Sequence, residues 1–239
     1  MFFPAYNDSG TIASLVITAL QSASRLTPNY EIIVVNDGSR DDSAEVLKGL
    51  QGRVARLKVV THDRNRGYGA ALRSGFATAT KDLVFYTDGD GQYDVRELPI
   101  LLMLLTDDTH FVNGIKMTRQ DPMYRVHIGS IHRFLMRWSF WLPVNDVDCD
   151  FRLVRRSVIE RIALRSNSGS ICVELVKNAQ RAGAEFREVS VHHYPRKWGA
   201  SEFFKPGRII HTYIDLAGSW LQLMVIDKLR GKRSVRIAP

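Results

Sequence analysis

Apolar residues in the first half of the chain alternate between two rhythms. Short runs rich in β-branched residues, Glu31 to Val35, Leu57 to Thr61 and Leu83 to Thr87, read as buried strands. Phe2-Phe3 reads as a remnant of another. Between these runs, Thr11 to Ser24 sets Ile12, Leu15, Val16, Ala19, Leu20 and Ala23 at helical spacing. A short helix carries Val46, Leu47 and Leu50, and a longer one is expected from Gly69 to Thr80. The β-α-β-α-β-α-β order predicts an α/β fold, a mostly parallel sheet covered by helices on both faces.

The second half is less regular. Asp94 is placed to cap a helix through Leu98 to Leu105, with Pro99 near its start. His110 to Lys116 reads as a strand, Met123 to Leu142 as a helix rich in Arg, His and Trp, and Ser168 to Gly183 as an amphipathic helix. Glu185 to Val191 is a further strand, followed by a basic, aromatic loop from His192 to Lys205. Val144 to Leu153 holds the acidic run Asp146-Val147-Asp148-Cys149-Asp150-Phe151-Arg152. A last helix, Arg208 to Arg230, sets Ile210, Tyr213, Ile214, Ala217, Trp220, Leu221 and Met224 along one face. It is too polar for a confident span. Its basic tail, Lys228, Arg230, Lys232, Arg233 and Arg236, suits an anionic membrane interface. Packing of the same face on the domain's own core is the competing reading.

The 239 residues are 45% hydrophobic and 24% charged, enough for a real core in one domain. A net charge of +8 favours anionic partners such as phosphates or lipid headgroups. Zinc-finger spacing, RNP-like aromatics and arginine-rich arms are missing, so no nucleic-acid partner is expected. Cys149 and Cys172 are the only cysteines, which argues against a disulfide framework and for a reducing, cytoplasmic compartment. No signal peptide is visible at Met1-Phe2-Phe3-Pro4.

Ligands of open α/β sheets bind beyond the carboxyl ends of the strands. The polar motifs Pro4-Ala5-Tyr6-Asn7-Asp8, Asn36-Asp37-Gly38-Ser39, Asn65-Arg66-Gly67 and Asp88-Gly89-Asp90 all sit there. Taken alone, Asp88-Gly89-Asp90 fits either an Asp/Gly turn or a site for a hard divalent cation that shares its oxygens with a phosphorylated substrate. Four such loops at one edge favour a single site. Asn65, Gly67, Gly69 and Ala70 open a helix whose free N–H groups attract anions, although a close-packed helix start explains the glycines equally well.

In this order the motifs make the chain resemble the family-2 glycosyltransferases, most closely the dolichyl- or polyprenyl-phosphate sugar synthases. The matching segments are P-A-Y-N-D at 4–8, V-V-N-D-G-S-R-D at 34–41 and N-R-G-Y-G-A-A-L-R-S-G-F at 65–76. D-G-D-G-Q-Y-D at 88–94, D-V-D-C-D-F-R-L at 146–153 and Y-P-R-K-W-G-A-S at 194–201 complete the set. Two departures stand out: only Phe2 and Phe3 precede the first motif, and Asp150 stands where the family often has glycine.

The resemblance implies a GT-A fold over 1–205, with a nucleotide-sugar half to about 115 and an acceptor half from 116, then the helix and tail of 206–239. It implies a metal-dependent, inverting transfer of a sugar from a GDP- or UDP-linked donor to a polyprenyl phosphate, by a peripheral membrane enzyme. Pro4, Ala5, Tyr6, Asn7, Asp37, Asn65, Gly67, Asp88 and Gly89 would bind the donor. Asp88, Asp90 and Gln92 would hold Mg²⁺ or Mn²⁺. Arg125, Ser130, Arg133, Arg196 and Ser201 would bind the acceptor, unless they form only surface salt bridges. Asp88, Asp90, Asp148 and Arg152 are the expected catalytic residues. An ionised lipid phosphate needs no general base, whereas a hydroxyl acceptor would call on Asp148 or Asp150. The other readings are a glycan or soluble acceptor and a non-catalytic nucleotide-sugar or membrane-binding module.

Overall fold

The computed structural model describes residues 1–117, 123–196, 198 and 206–227. Ser201, the segment Tyr194 to Ser201 in part, the basic tail and the side chain of Arg125 lie outside the described residues. Seven strands form one sheet: β1 (Phe2–Ala5), β2 (Ile32–Asn36), β3 (Leu57–Thr61), β4 (Leu83–Thr87), β5 (Phe111–Lys116), β6 (Phe151–Arg155) and β7 (Phe186–Val191). Their spatial order is β3-β2-β1-β4-β6-β5-β7. Only β6 runs against its neighbours, pairing antiparallel with both β4 and β5. It is a strand that the hydrophobic pattern did not predict.

The helices are α1 (Ile12–Leu26), α2 (Ser43–Gln51), α3 (Tyr68–Thr78), α4 (Leu98–Met103), α5 (Met123–Phe140), a short turn α6 (Arg156–Ile159), α7 (Ile171–Arg181) and α8 (Pro206–Trp220). Alternate residues of the central strands feed opposite core layers, as the two-residue period of a strand requires. Phe2, Ile33 and Val35 pack with residues of α3, α5 and α7, while Phe3, Ile32 and Val34 pack with α1 and Leu47 of α2. The remnant Phe2-Phe3 is thus a full central strand, in register with β2 from Phe2↔Ile33 to Ala5↔Asn36. Gly75 lets α3 close on it, because a Cβ there would stand 2.3 Å from the Phe2 ring.

Direction decides what reaches the ligand edge. The carboxyl ends of β1 to β5 and β7 share that edge, and reversed β6 presents its amino end there. Asp150, just before β6, is thereby brought beside Asp88, just after β4. The apolar face of the last helix is divided, with Met224 of the expected stripe packed against the core. Thr212, Leu216 and Leu223 are buried against the domain, whereas Ile210, Tyr213, Ile214, Trp220 and Leu221 of the expected stripe are exposed.

Candidate active site

The first two loops are built by mutual capping. Asn7 adopts a left-handed backbone (φ 58°), with its N–H donating to Ser39 Oγ at 3.0 Å and its Oδ1 accepting from Arg40 N at 2.8 Å. Asp8 N donates to Ser43 Oγ at 3.1 Å. Pro4 and Ala5 are buried strand residues whose carbonyls hold Gly89 N (3.0 Å) and Asp37 N (2.9 Å). Both residues, expected on the donor side, shape this edge through their backbone. Tyr6 and Asn7 stay half-buried, and Asn65 is exposed.

Asp37 is buried, and its carboxylate is satisfied within the protein. It contacts His62 Nδ1 at 2.6 Å and accepts from Arg66 N at 2.8 Å and Gly67 N at 2.9 Å. Those two N–H groups belong to the start of α3, and Gly69 N donates to Asn167 O at 2.9 Å. Two of the donors at this helix start, Gly67 N and Gly69 N, are therefore committed to Asp37 and Asn167. Gly67 has φ 95°, and a Cβ on it would meet Asn167 O at 2.3 Å, so both backbone and space demand glycine.

Asp88, Asp90 and Asp150 converge in front of β4 and β6. Tyr68 donates its hydroxyl to Asp88 Oδ1 at 2.7 Å, and the same hydroxyl supports Asp150. Burial, then the charges of Asp150 and Asp90, push the Asp88 carboxyl well above the ordinary range. Burial likewise raises Asp150, which accepts from Cys172 Sγ at 3.2 Å. Asp90 Oδ2 pairs with Arg196 Nη2 at 2.6 Å, and its Oδ1 accepts from Gln92 N at 3.0 Å. Arg196, expected on the acceptor side, thus stands as a cation over Asp90, with Asp8 Oδ1 3.7 Å from its other arm. Gln92, expected as a metal ligand, has its amide Nε2 tied to Tyr194 O at 3.0 Å.

A hard divalent cation fits this donor set. It consists of carboxylate oxygens that repel one another, one of them already neutralised by a guanidinium. Among the described residues, no three acidic, histidine or cysteine side chains close a metal cage. A cation here would complete its shell with waters or with oxygens from a ligand, as diphosphates supply for Mg²⁺.

Asp148 lies to one side, in the loop that leads into β6. Burial opposes its ionisation, but His132 (Nε2 3.6 Å from Oδ1), Lys116 and Arg152 outweigh it and hold its pKa below the ordinary carboxylate value. Lys116 Nζ donates to Asp148 O at 2.6 Å. Arg133 donates to Ser130 Oγ at 3.0 Å, and its Nη1 is buried without a hydrogen-bond partner in the protein.

Arg152 requires correction. It is fully buried, donating from Nε to Asn113 Oδ1 at 2.8 Å, from Nη1 to Tyr86 OH at 2.5 Å, and from Nη2 to Val147 O. Asp150 Oδ1 lies 3.4 Å away. The guanidinium is spent inside the protein and supports Asp150 from beneath rather than meeting a ligand. Sequence reasoning also passed over Tyr68, Lys116 and Asp8. Each carried a signal: Asp8 and Tyr68 lie inside the motifs at 4–8 and 65–76, and Lys116 ends a predicted strand.

Asp8 gives a measurable pH dependence. Burial above all, with the charge of Asp90, raises its pKa from 3.8 to about 6. Between pH 4 and 6 the folded protein keeps a proton that the unfolded chain has released. The stabilisation from that proton is full below pH 4 and is lost as pH rises through 6. Asp8→Asn removes the slope. The stability of the native protein relative to this variant is expected to fall by at most about 3 kcal/mol across that window. Urea melts of both in metal-free buffer test it, and parallel pH curves would refute it.

A seven-stranded, mostly parallel sheet with carboxylates gathered at its ligand edge defines a nucleotide-diphospho-sugar transferase fold. The Glycosyl transferase family 2 model matches residues 2–163, and the chain belongs to that family. Among curated relatives, the undecaprenyl-phosphate 4-deoxy-4-formamido-L-arabinose transferase of Salmonella choleraesuis (strain SC-B67) is 29% identical over 216 residues. That alignment covers 89% of this chain and 64% of the relative. The transferase of the same name from Salmonella paratyphi B (strain ATCC BAA-1250 / SPB7) gives the same figures. The chain therefore spans about two thirds of the length of these relatives.

Solved structures of glucosyl-3-phosphoglycerate synthase from Mycobacterium tuberculosis share the fold. Its complex with Mn²⁺, UDP and glucosyl-3-phosphoglycerate aligns with a TM-score of 0.68 at 18% identity, over 92% of this chain and 77% of that one. Its complex with Mg²⁺ and UDP gives 0.65 at 18%, over 91% and 78%.

Proposed function

We propose that this chain transfers a sugar from a GDP- or UDP-linked donor to a polyprenyl phosphate, with inversion, as a peripheral enzyme of an anionic membrane surface. The observation that carries the reading is the convergence of Asp88, Asp90 and Asp150 at the ligand edge, where their mutual repulsion calls for a cation. Membership of the family and the lipid-phosphate acceptor in the relatives' names support it. The basic tail and the outward apolar face of α8 support the membrane surface.

Asp88 and Asp90 would hold Mg²⁺ or Mn²⁺, and the bound ion would offset charge developing on the departing diphosphate. Tyr68 orients Asp88. Tyr6, Asn65 and the backbone around Gly67 and Gly89 form the donor side, ordered by Asp37. An acceptor phosphate oxygen attacks the anomeric carbon as the bond to the diphosphate breaks on the opposite face. Lys116, Arg133 and the arginines expected at 125 and 196 would supply cations for phosphate oxygens. Asp148 suits this acceptor: held ionised by its neighbours, it is a poor proton acceptor but a good anchor for His132 and Lys116.

A hydroxyl acceptor is the second reading, favoured by one observation: the raised proton affinity of Asp150, which suits a general base. Labelled UDP- and GDP-sugars, incubated with Mn²⁺ and undecaprenyl phosphate, separate the readings. Label extracted into organic solvent supports the lipid acceptor. Label transferred only to aqueous acceptors, and lost in Asp150→Asn, supports the hydroxyl. Nucleotide binding without any transfer would leave a binding module and overturn both.

A further inference from the structure

Beneath the ligand edge, apart from the carboxylate cluster, lies a buried relay of three side chains. His62, the residue after β3, is buried with its ring between Asp37 and Ser74. Its Nδ1 meets Asp37 Oδ1 at 2.6 Å, and its Nε2 meets Ser74 Oγ on α3 at 2.9 Å. A carboxylate only accepts, so Nδ1 carries a proton and donates. In the neutral ring Nε2 is then left to accept from the Ser74 hydroxyl, which fixes the tautomer. The order Ser-His-Asp is that of a hydrolytic triad, but Ser74 lies inside a helix. Backbone N–H groups there are committed to the helix and offer an oxyanion nothing. The relay is a brace, not a nucleophile.

What it braces is the loop between β3 and α3. His62 N donates to Asn36 O at 2.9 Å, which carries the β2–β3 pairing one residue further. Residues 63–66 that follow are exposed, so burial does not hold them. Their hold is the Asp37 carboxylate, which accepts from Arg66 N at 2.8 Å and Gly67 N at 2.9 Å. Beneath the loop there is little slack, since a Cβ on Gly38 (φ 65°) would stand 2.3 Å from the Arg64 carbonyl carbon. The orientation of one carboxylate thus decides where Arg66 and Gly67 sit, and His62 is its side-chain donor. Without the ring, Asp37 would lose a charge-assisted bond and gain room to turn.

We propose that His62, set by Ser74, is a positioning residue for donor binding. It holds Asp37 in the orientation that fixes the Arg66–Gly67 turn, and with that turn Asn65 and Gly67. The inference rests on the reading of this edge as the donor side, and adds two side chains that touch no substrate.

Amide hydrogen exchange in the nucleotide-free protein, and calorimetry with UDP and GDP in Mn²⁺, test it on the full chain. His62→Leu keeps an apolar filler but no donor. It should speed exchange at Arg66 and Gly67 by about tenfold or more, as loss of a hydrogen bond to a charged group implies. Affinity for the nucleotide that the native protein binds should fall by a similar factor. In transfer, donor KM should rise about tenfold while kcat changes far less. His62→Asn, whose Nδ2 can stand in for Nδ1, should recover most of both losses. An asparagine variant no better than the leucine one would make the role packing and overturn the proposal, as would unchanged exchange in His62→Leu. Ser74→Ala, which a helix tolerates, reads the same amides where a His62 variant fails to fold. Exchange there should rise about threefold, the effect of one neutral hydrogen bond, and no rise would overturn the relay. A native protein that binds neither nucleotide would overturn the donor reading alone, because the exchange result is read without ligand.

Discussion

Asp88→Asn is expected to lower sugar transfer by about 10² to 10³-fold, the loss typical of removing one electrostatic contact to developing charge. It is also expected to raise the melting temperature. The two effects share a cause. The ionised Asp88 carboxylate is opposed by burial and by the charges of Asp150 and Asp90. Asparagine keeps the shape and an oxygen that can accept from Tyr68, but it carries no charge to repel its neighbours. Stability gained with activity lost is the pattern of a site held in tension for function. Thermal melts and a transfer assay on one preparation decide it. Undiminished transfer would remove Asp88 from the reaction, and a lower melting temperature would make its charge a structural asset.

That tension was partly visible before the structure. The β-branched runs at Ile32–Val35 and Leu83–Thr87 are strands because nothing else in their surroundings competes with burial on both faces. Once four such strands are parallel, their polar ends must share an edge. What the pattern could not show was β6. Its sequence, Phe-Arg-Leu-Val-Arg, follows directly on an acidic motif and reads as that motif's tail. The missing strand is what carries Asp150 to Asp88, so one of the three carboxylates was brought in by a pairing with no local signature.

Asp37 shows a different limit. A carboxylate after a strand is visible in the sequence, but whether it faces a ligand or the N–H groups of Arg66 and Gly67 depends on a loop some thirty residues away. The outer face of α5 was hidden for a third reason. Both sides of that helix are apolar, so periodicity could not say which side meets the core.

Arg152 carries the sharpest consequence of β6. Arginine at the end of an acidic motif reads as a cation for phosphate, yet in the strand interior it meets Asn113, Tyr86, Val147 and Asp150 with no access to solvent. Removing one member of such a buried network leaves the others unpaired, which typically costs about 3–5 kcal/mol. Arg152→Met is therefore expected to destabilise the fold by about that amount, with Asp150 left without its cation and driven further toward the protonated form. Arg152→Lys should recover part of the loss, since an ammonium can reach some of these acceptors but cannot match the guanidinium's fork. Double replacement by Arg152→Met and Asp150→Asn should recover more, because the uncompensated carboxylate goes with its partner. Denaturant melts on the three variants give the answer. A ligand-binding arginine would instead leave stability intact in Arg152→Met while transfer fell, and that result would return Arg152 to the reacting side of the sheet.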